Sequence, residues 1–88
     1  MTIFKYPIPM NDYFDLWIPI GGKILTVQKQ GENPCIWVLV NPKADLKKRQ
    51  FRLAGTGHPI EDMIGMVYIG TFQLSGGAFV GHLFEIME

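Results

Sequence analysis

Apolar and polar residues alternate with a period of two in several parts of the chain, which is the period of a half-buried β-strand. In residues 13–18 the alternation puts Phe14, Leu16 and Ile18 on one face, while Trp17 makes the opposite face amphipathic. Alternation also predicts strands at residues 23–29 and 50–53, and apolar, β-branched and aromatic content predicts strands at residues 35–40, 66–74 and 78–87.

Turn signals separate these segments at about the 8–12-residue spacing that is typical of small all-β domains. They are rich in glycine and proline, as in residues 21–22, 31–34 and 75–77. Residues 60–64 have room for one helical turn, and no longer window shows a helical stripe. We therefore predict an all-β fold: one domain over residues 1–88, with six or seven short strands in an antiparallel barrel or sandwich.

Two segments need separate interpretation. Residues 35–40 are apolar on both faces, so we expect a central strand or one that another subunit covers. Residues 45–49 are mostly charged and indicate a connector, with room for a single helical turn. In the strand that follows, we expect Phe51 and Leu53 to point inward and Arg52 to point outward.

Composition and charge narrow the classes of partner. The chain has 88 residues, of which 48% are hydrophobic, and a domain of this size cannot easily bury so many. We therefore expect a homo-oligomer, because self-association commonly covers exposed apolar surface. The formal net charge is zero, which argues against general nucleic-acid binding and against electrostatic attachment to an anionic membrane.

The cysteine content points to a reducing compartment. Cys35 is the only cysteine, so an intramolecular disulfide is excluded and a cytoplasmic location is expected. The N-terminal residues do not resemble a signal peptide, and no apolar run approaches the roughly 20 residues that span a bilayer.

The loop Gly55-Thr56-Gly57-His58 ranks first among candidate ligand sites. Closely spaced glycines allow backbone N–H groups to converge on an anion, and the threonine and histidine side chains add polar contacts. A phosphate or a nucleotide-like ligand would suit such a loop. The alternative is a wide turn, because glycine allows positive φ and Pro59 favours an extended residue before it.

Catalytic and metal sites have weak support. Neither CxxC nor HExxH spacing occurs, and nothing orients Cys35 toward a histidine. We expect no catalytic residues, no metal and no cofactor, and therefore a protein that is not an enzyme. The side chains considered as ligands were His58, His82, Glu61, Asp62 and Cys35.

A basic cluster and two tryptophans are the candidate partner-binding residues. Aromatic side chains often anchor interfaces, and basic side chains contact phosphates or acidic protein surfaces. The alternative for the basic residues is a solvated connector and an outward strand face. The predicted partner-binding set comprises Trp17, Trp37, Lys47, Lys48, Arg49 and Arg52.

Two segments have distinctive sequences: GTGHPI at residues 55–60 and YIGTFQ at residues 68–73, the latter followed by Gly76-Gly77. With the order of the segments around them, they resemble a family of small, uncharacterised proteins encoded mainly by tailed bacteriophages and prophages. The resemblance extends from Lys5 to Glu85.

This resemblance implies an origin and a location in the host bacterial cytoplasm. Small phage proteins without enzyme motifs often bind and block host proteins, including defence machinery such as CRISPR complexes, and others sequester a nucleotide signal. We therefore expect a non-enzymatic accessory protein that inhibits a host defence component, by binding a protein or by sequestering a ligand. The alternative is a structural or assembly protein of the phage particle.

Overall fold

The structure, a computed structural model, describes residues 1–61 and 64–87, which form seven β-strands and one short 3-10 turn. This architecture confirms the all-β prediction. The strands are β1 (Thr2–Pro7), β2 (Tyr13–Pro19), β3 (Lys23–Gln30), β4 (Asn33–Val40), β5 (Leu46–Gly55), β6 (Met66–Leu74) and β7 (Phe79–Ile86), and the 3-10 turn is Ser75–Gly77.

The strands form two antiparallel sheets that pack against each other. The smaller sheet has the order β1-β4-β3 and the larger has the order β2-β5-β7-β6. Along one side β6 approaches β3 closely, since a Cβ on Gly70 would lie 2.7 Å from Val27 Cγ1. The core between the sheets includes Phe14, Ile18, Val27, Ile36, Val38, Val40, Phe51, Leu53, Phe72 and Leu83.

The expectation of a central strand is confirmed, because β4 lies between β1 and β3. This strand begins at Asn33, where we had placed the end of a four-residue turn. Gln30 pairs with Asn33, so only Gly31 and Glu32 connect β3 to β4. Gly31 has a φ of 63°, a conformation that glycine adopts at little cost.

The predicted hairpin of the last two strands is also confirmed. β6 and β7 pair from Leu74↔Phe79 to Met66↔Ile86, with the Ser75–Gly77 turn between them. β6 has one extra residue between Tyr68 and Gly70, so the pairing from Met66 to Tyr68 is shifted by one position relative to the rest of the hairpin. The pairing therefore follows the alternation of both strands except at this bulge.

Two expectations about secondary structure were wrong. Residues 46–49 form the first half of β5, because they pair with residues 16–19 of β2, whereas we predicted a connector. The first strand, β1, was not predicted and pairs with β4 along its whole length. The helical turn considered at residues 60–64 falls partly on Asp62 and Met63, which lie outside the described residues; Ile60 and Glu61 belong to no helix or strand. Within the described ranges, no helix has the length and apolarity needed to cross a membrane.

Candidate functional site

The outer face of the larger sheet carries a row of side chains across all four strands. Tyr13 pairs with Arg52, Arg52 with Phe84, and Phe84 with Tyr68, so the four side chains lie on the same face. The Arg52 guanidinium carbon lies 4.9 Å from the centroid of the Tyr13 ring, and the Tyr68 and Phe84 centroids are 5.6 Å apart. We call these four residues the aromatic row.

A chain of hydrogen bonds runs beside the aromatic row. Thr56 Oγ1 lies 2.7 Å from Nε2 of His82, and Thr71 Oγ1 lies 2.9 Å from Nδ1 of the same ring. The Tyr68 hydroxyl extends the chain, at 2.5 Å from Thr71 Oγ1. His82 is half-buried, and the other three residues are exposed. We call Thr56, His82, Thr71 and Tyr68 the hydroxyl–imidazole chain.

Arg52 lies on the outer face of the sheet, which confirms that it points away from the core, but it does not reach solvent. Its residue is only 4% exposed because neighbouring segments surround the guanidinium. Nη1 donates to Leu53 O at 2.5 Å, and Nη2 donates to Pro59 O at 3.1 Å. Asp12 Oδ1 lies 4.0 Å away on an exposed side chain. Within the described residues, Arg52 Nε is the buried side-chain polar atom without a hydrogen-bond partner.

The Gly55–His58 loop turns the chain tightly. The His58 N–H donates to Gly55 O at 3.0 Å, and Gly57 has a φ of 87°, as a type II turn requires. The Thr56 N–H donates to Val80 O at 3.0 Å. Two of the N–H groups that an anion nest would use are thus engaged by carbonyls. The polar group that this loop adds to the face is the Thr56 hydroxyl.

The segment after this loop is attached to the edge of the sheet. The Tyr13 hydroxyl donates a hydrogen bond of 3.1 Å to Glu61 Oε2. The Glu61 backbone N–H and this tyrosine hydroxyl both hold the pKa of the Glu61 carboxyl below its usual value. Together with the bond from Arg52 to Pro59 O, this contact keeps residues 59–61 against the outer face.

The predicted partner-binding residues do not form one surface in the structure. Trp17 pairs with Lys48 on the outer face of the larger sheet, the face that carries the aromatic row. Trp37 lies on the outer face of the smaller sheet, because the residues on either side of it, Ile36 and Val38, are fully buried in the core. The two tryptophans therefore face opposite sides of the molecule. Lys47 is exposed at the start of β5, and Arg49 turns toward the core.

Arg49 makes an ion pair inside the protein. Its Nε and Nη2 donate to the two carboxylate oxygens of Glu85 at 2.6 Å and 2.7 Å, and Nη1 donates to Gly22 O at 2.6 Å. The hydrogen bonds to Glu85 raise the pKa of Arg49. Two clefts of 590 Å³ and 320 Å³ share this pair as part of their walls. The guanidinium is therefore engaged internally and is not a free contact for a partner.

Potential metal ligands are not clustered in the described part of the chain. There, no group of three histidine, cysteine, aspartate or glutamate side chains could hold an ion. Cys35 is buried, and its sulfur lies 3.5 Å from Asn33 O. Asp62, one of the side chains considered as a ligand, lies outside the described residues.

The hydroxyl–imidazole chain was not predicted from the sequence. Symmetry of the last hairpin about residues 76–77 would have placed Thr71 opposite His82, as observed. The bulge before Gly70 brings Tyr68 opposite Phe84, and no local pattern indicates it. The contact between Thr56 and His82 joins residues 26 positions apart, so spacing in the sequence does not suggest it.

Comparison with known proteins gives a family. No curated protein and no solved structure matches the chain. The family described as "Domain of unknown function (DUF7352)" matches residues 1–88, the whole of the chain. The protein therefore belongs to the DUF7352 family.

Proposed function

We propose that this protein is a non-enzymatic binding protein that engages a partner protein through the outer face of its larger sheet. One observation carries the proposal: Tyr13, Trp17 and Tyr68 lie on this face and are 57%, 59% and 57% exposed. Tyrosine and tryptophan dominate the energetics of many interfaces because each buries a large area with few rotatable bonds.

A protein partner fits this face better than the other ligands considered. The chain's zero net charge supplies no broad field for nucleic acid. Sequestration of a nucleotide would rest on converging N–H groups in the Gly55–His58 loop, and two of those already donate to carbonyls. The outer face instead combines exposed aromatic rings with threonine and lysine side chains, and protein interfaces commonly combine an aromatic centre with polar surroundings.

The proposed target is a host defence component, which the protein would inhibit in the bacterial cytoplasm. This part of the proposal is supported by the resemblance to phage and prophage proteins, carried by residues 55–60 and 68–73. A structural role in the phage particle is the alternative, and it predicts that the protein is present in purified virions.

Site-specific photo-cross-linking in a prophage-bearing host tests the binding face. A benzoylphenylalanine at Trp17 is expected to cross-link one host protein reproducibly, and the same group at Trp37 is not, because position 37 faces the opposite side. Equal capture at both positions, or none at position 17, contradicts the proposed face. Cross-links to virion proteins alone would support the structural role.

A functional assay tests inhibition. In a strain with an active defence system, Trp17→Ala is expected to reduce phage plating at least tenfold relative to the wild-type protein, because it removes one of the three exposed aromatic side chains of this face. Ile20→Ala is the matched control: Ile20 is 56% exposed, close to Trp17 in exposure, but lies in the turn after β2. Equal plating with both variants contradicts a role for Trp17.

A further inference from the structure

We infer that the hydroxyl–imidazole chain is a carboxylate-recognition site, in which the Thr56 hydroxyl donates to an aspartate or glutamate side chain of the partner. This inference rests on the proposed function, because it assigns partner chemistry to the same face. It uses three observed contacts, from Thr56 to His82, from His82 to Thr71, and from Thr71 to Tyr68.

The hydrogen-bond roles in this chain depend on the tautomer of His82. A neutral imidazole has one N–H donor and one acceptor nitrogen. When Nε2 carries the hydrogen, it donates to Thr56, and Thr71 must donate to Nδ1 and accept from Tyr68. The Thr56 hydroxyl hydrogen is then free to point outward. When Nδ1 carries the hydrogen, Thr56 donates to the ring and presents only lone pairs.

A carboxylate selects among these states. It only accepts hydrogen bonds, so it requires the form in which Thr56 donates outward. The imidazolium form meets the same requirement, because its Nε2–H also donates to Thr56, and its positive charge attracts a carboxylate. Two of the three forms of His82 therefore favour an acidic group at Thr56, whereas the Nδ1–H tautomer presents lone pairs that would accept from a donor.

The neighbouring charges are compatible with this assignment. On the same face, Arg52 is a diagonal neighbour of His82 across β5 and β7, and its buried Nε lacks a partner in the described residues. The two nearby acidic side chains lie close to other partners near β2: Glu61 accepts a hydrogen bond from the Tyr13 hydroxyl, and Asp12 lies beside Arg52. His58 packs against Gly55, where a Cβ would lie 2.9 Å from its ring.

The first test uses acetate as the probe and NMR of the purified protein. At constant ionic strength, acetate is expected to cause saturable shifts of the Thr56 and Gly57 amides and to move the His82 ring nitrogens toward the Nε2–H or imidazolium pattern. Thr56→Val, which keeps the shape but removes the hydroxyl, is expected to weaken acetate binding at least tenfold. Thr26→Val, on the smaller sheet, is the control and should change nothing. Shifts equal to those caused by chloride, or unchanged binding by Thr56→Val, overturn the site.

Thr71 acts as a positioning residue, because it contacts the ring and not the carboxylate. Thr71→Val removes the group that donates to Nδ1 in the Nε2–H tautomer, so the acetate-bound protein is expected to hold less of that tautomer and to bind acetate more weakly. Thr71→Ser restores the hydroxyl and should restore both. An unchanged tautomer in Thr71→Val overturns this role.

Two further measurements complete the test. The first distinguishes a carboxylate from phosphate, and the second distinguishes failure of this inference from failure of the proposed function. Inorganic phosphate is titrated in parallel, and binding more than tenfold tighter than acetate overturns the carboxylate assignment in favour of phosphate. The affinity for the host protein cross-linked at position 17 is then measured with Thr56→Val. A tenfold loss supports the inference, and an unchanged affinity overturns it while leaving the proposed function intact.

Discussion

Two arginines of β5 have opposite surroundings although they are only three residues apart. Arg49 lies on the core side and is neutralised by the Glu85 carboxylate. Arg52 lies on the outer side, where its Nη atoms donate mainly to backbone carbonyls. Its guanidinium also lies over the ring of Tyr13. Arg49 therefore joins two strands through charge, whereas Arg52 organises the segments that cover it.

The ion pair predicts a large loss of stability when one member is removed. Arg49→Met leaves the Glu85 carboxylate buried and unpaired, and we expect a loss of about 3–5 kcal/mol in the free energy of unfolding near neutral pH. Urea unfolding at pH 7 measures this loss. Arg49→Met/Glu85→Leu should recover most of it, and a double variant as unstable as Arg49→Met would contradict the prediction.

A second prediction for single residues concerns the hydrogen bond from Tyr13 to Glu61, which lowers the pKa of the Glu61 carboxyl. Tyr13→Phe removes the hydroxyl bond, so the pKa of Glu61 should rise toward its usual value but remain lowered by its own backbone N–H. Because the folded pKa is depressed, this contact stabilises the loop above the usual glutamate range and is lost as pH falls through the folded pKa. Carboxyl ¹³C shifts measured against pH give the value. Tyr68→Phe is the control and should leave Glu61 unchanged.

At the level of the strands, the contact between β3 and β6 determines how the two sheets meet. Both strands carry an irregularity at this side, between Ile24 and Thr26 in β3 and between Tyr68 and Gly70 in β6. Bulges bend and twist a strand locally, which allows the edges of two sheets to approach. The absence of a side chain on Gly70 leaves room for Val27.

Gly70→Ala tests this contact. Its Cβ would lie 2.7 Å from Val27 Cγ1, so either the buried valine side chain or the two strands must shift, and we expect a loss of about 1–3 kcal/mol in stability. In a Val27→Ala background the same substitution should cost at least about 0.5 kcal/mol less, because the clashing methyl is gone. Denaturant unfolding of the four proteins in this cycle gives the coupling. Strict additivity would show that the approach of the strands does not limit stability.

For the whole molecule, shape and charge favour association. The protein is flat, with extents of 39 × 31 × 16 Å, so two layers must bury the apolar residues of a small chain. Exposed apolar side chains remain on both outer faces, including Ile3 on β1 and Trp17 on β2. With no net charge, repulsion between copies is weak.

We therefore predict a homo-oligomer, measured by native mass spectrometry and by light scattering at several concentrations. Ile3→Lys should shift the distribution toward the monomer, because it places a charge on an exposed apolar strand. Ile20→Lys is the matched control, since the two isoleucines are 55% and 56% exposed but Ile20 lies in a turn. A wild-type monomer at every concentration contradicts the prediction.

Much of the fold could be predicted because alternation is a local property. The side chains of a strand face the core or solvent according to their parity, so residues 13–18 and 50–53 indicate their own strands without reference to a partner. The two-sided apolar pattern of residues 35–40 likewise indicated the central position of β4. The turn at residues 75–77 then determined which strands form the last hairpin.

Long-range contacts decided the rest. The charged residues 46–49 become a strand because β2 offers them backbone partners, and pairing outweighs their lack of apolar alternation. Arg52 is buried because residues 12 and 59 close over it, although its parity is that of an outward residue. Thr56 meets His82 only when β5 and β7 lie side by side. The sequence by itself determined the strands whose apolar residues alternate and the core-facing side of those strands, because alternation is local. The tertiary structure alone decided the candidate site, because its contacts join residues distant in sequence.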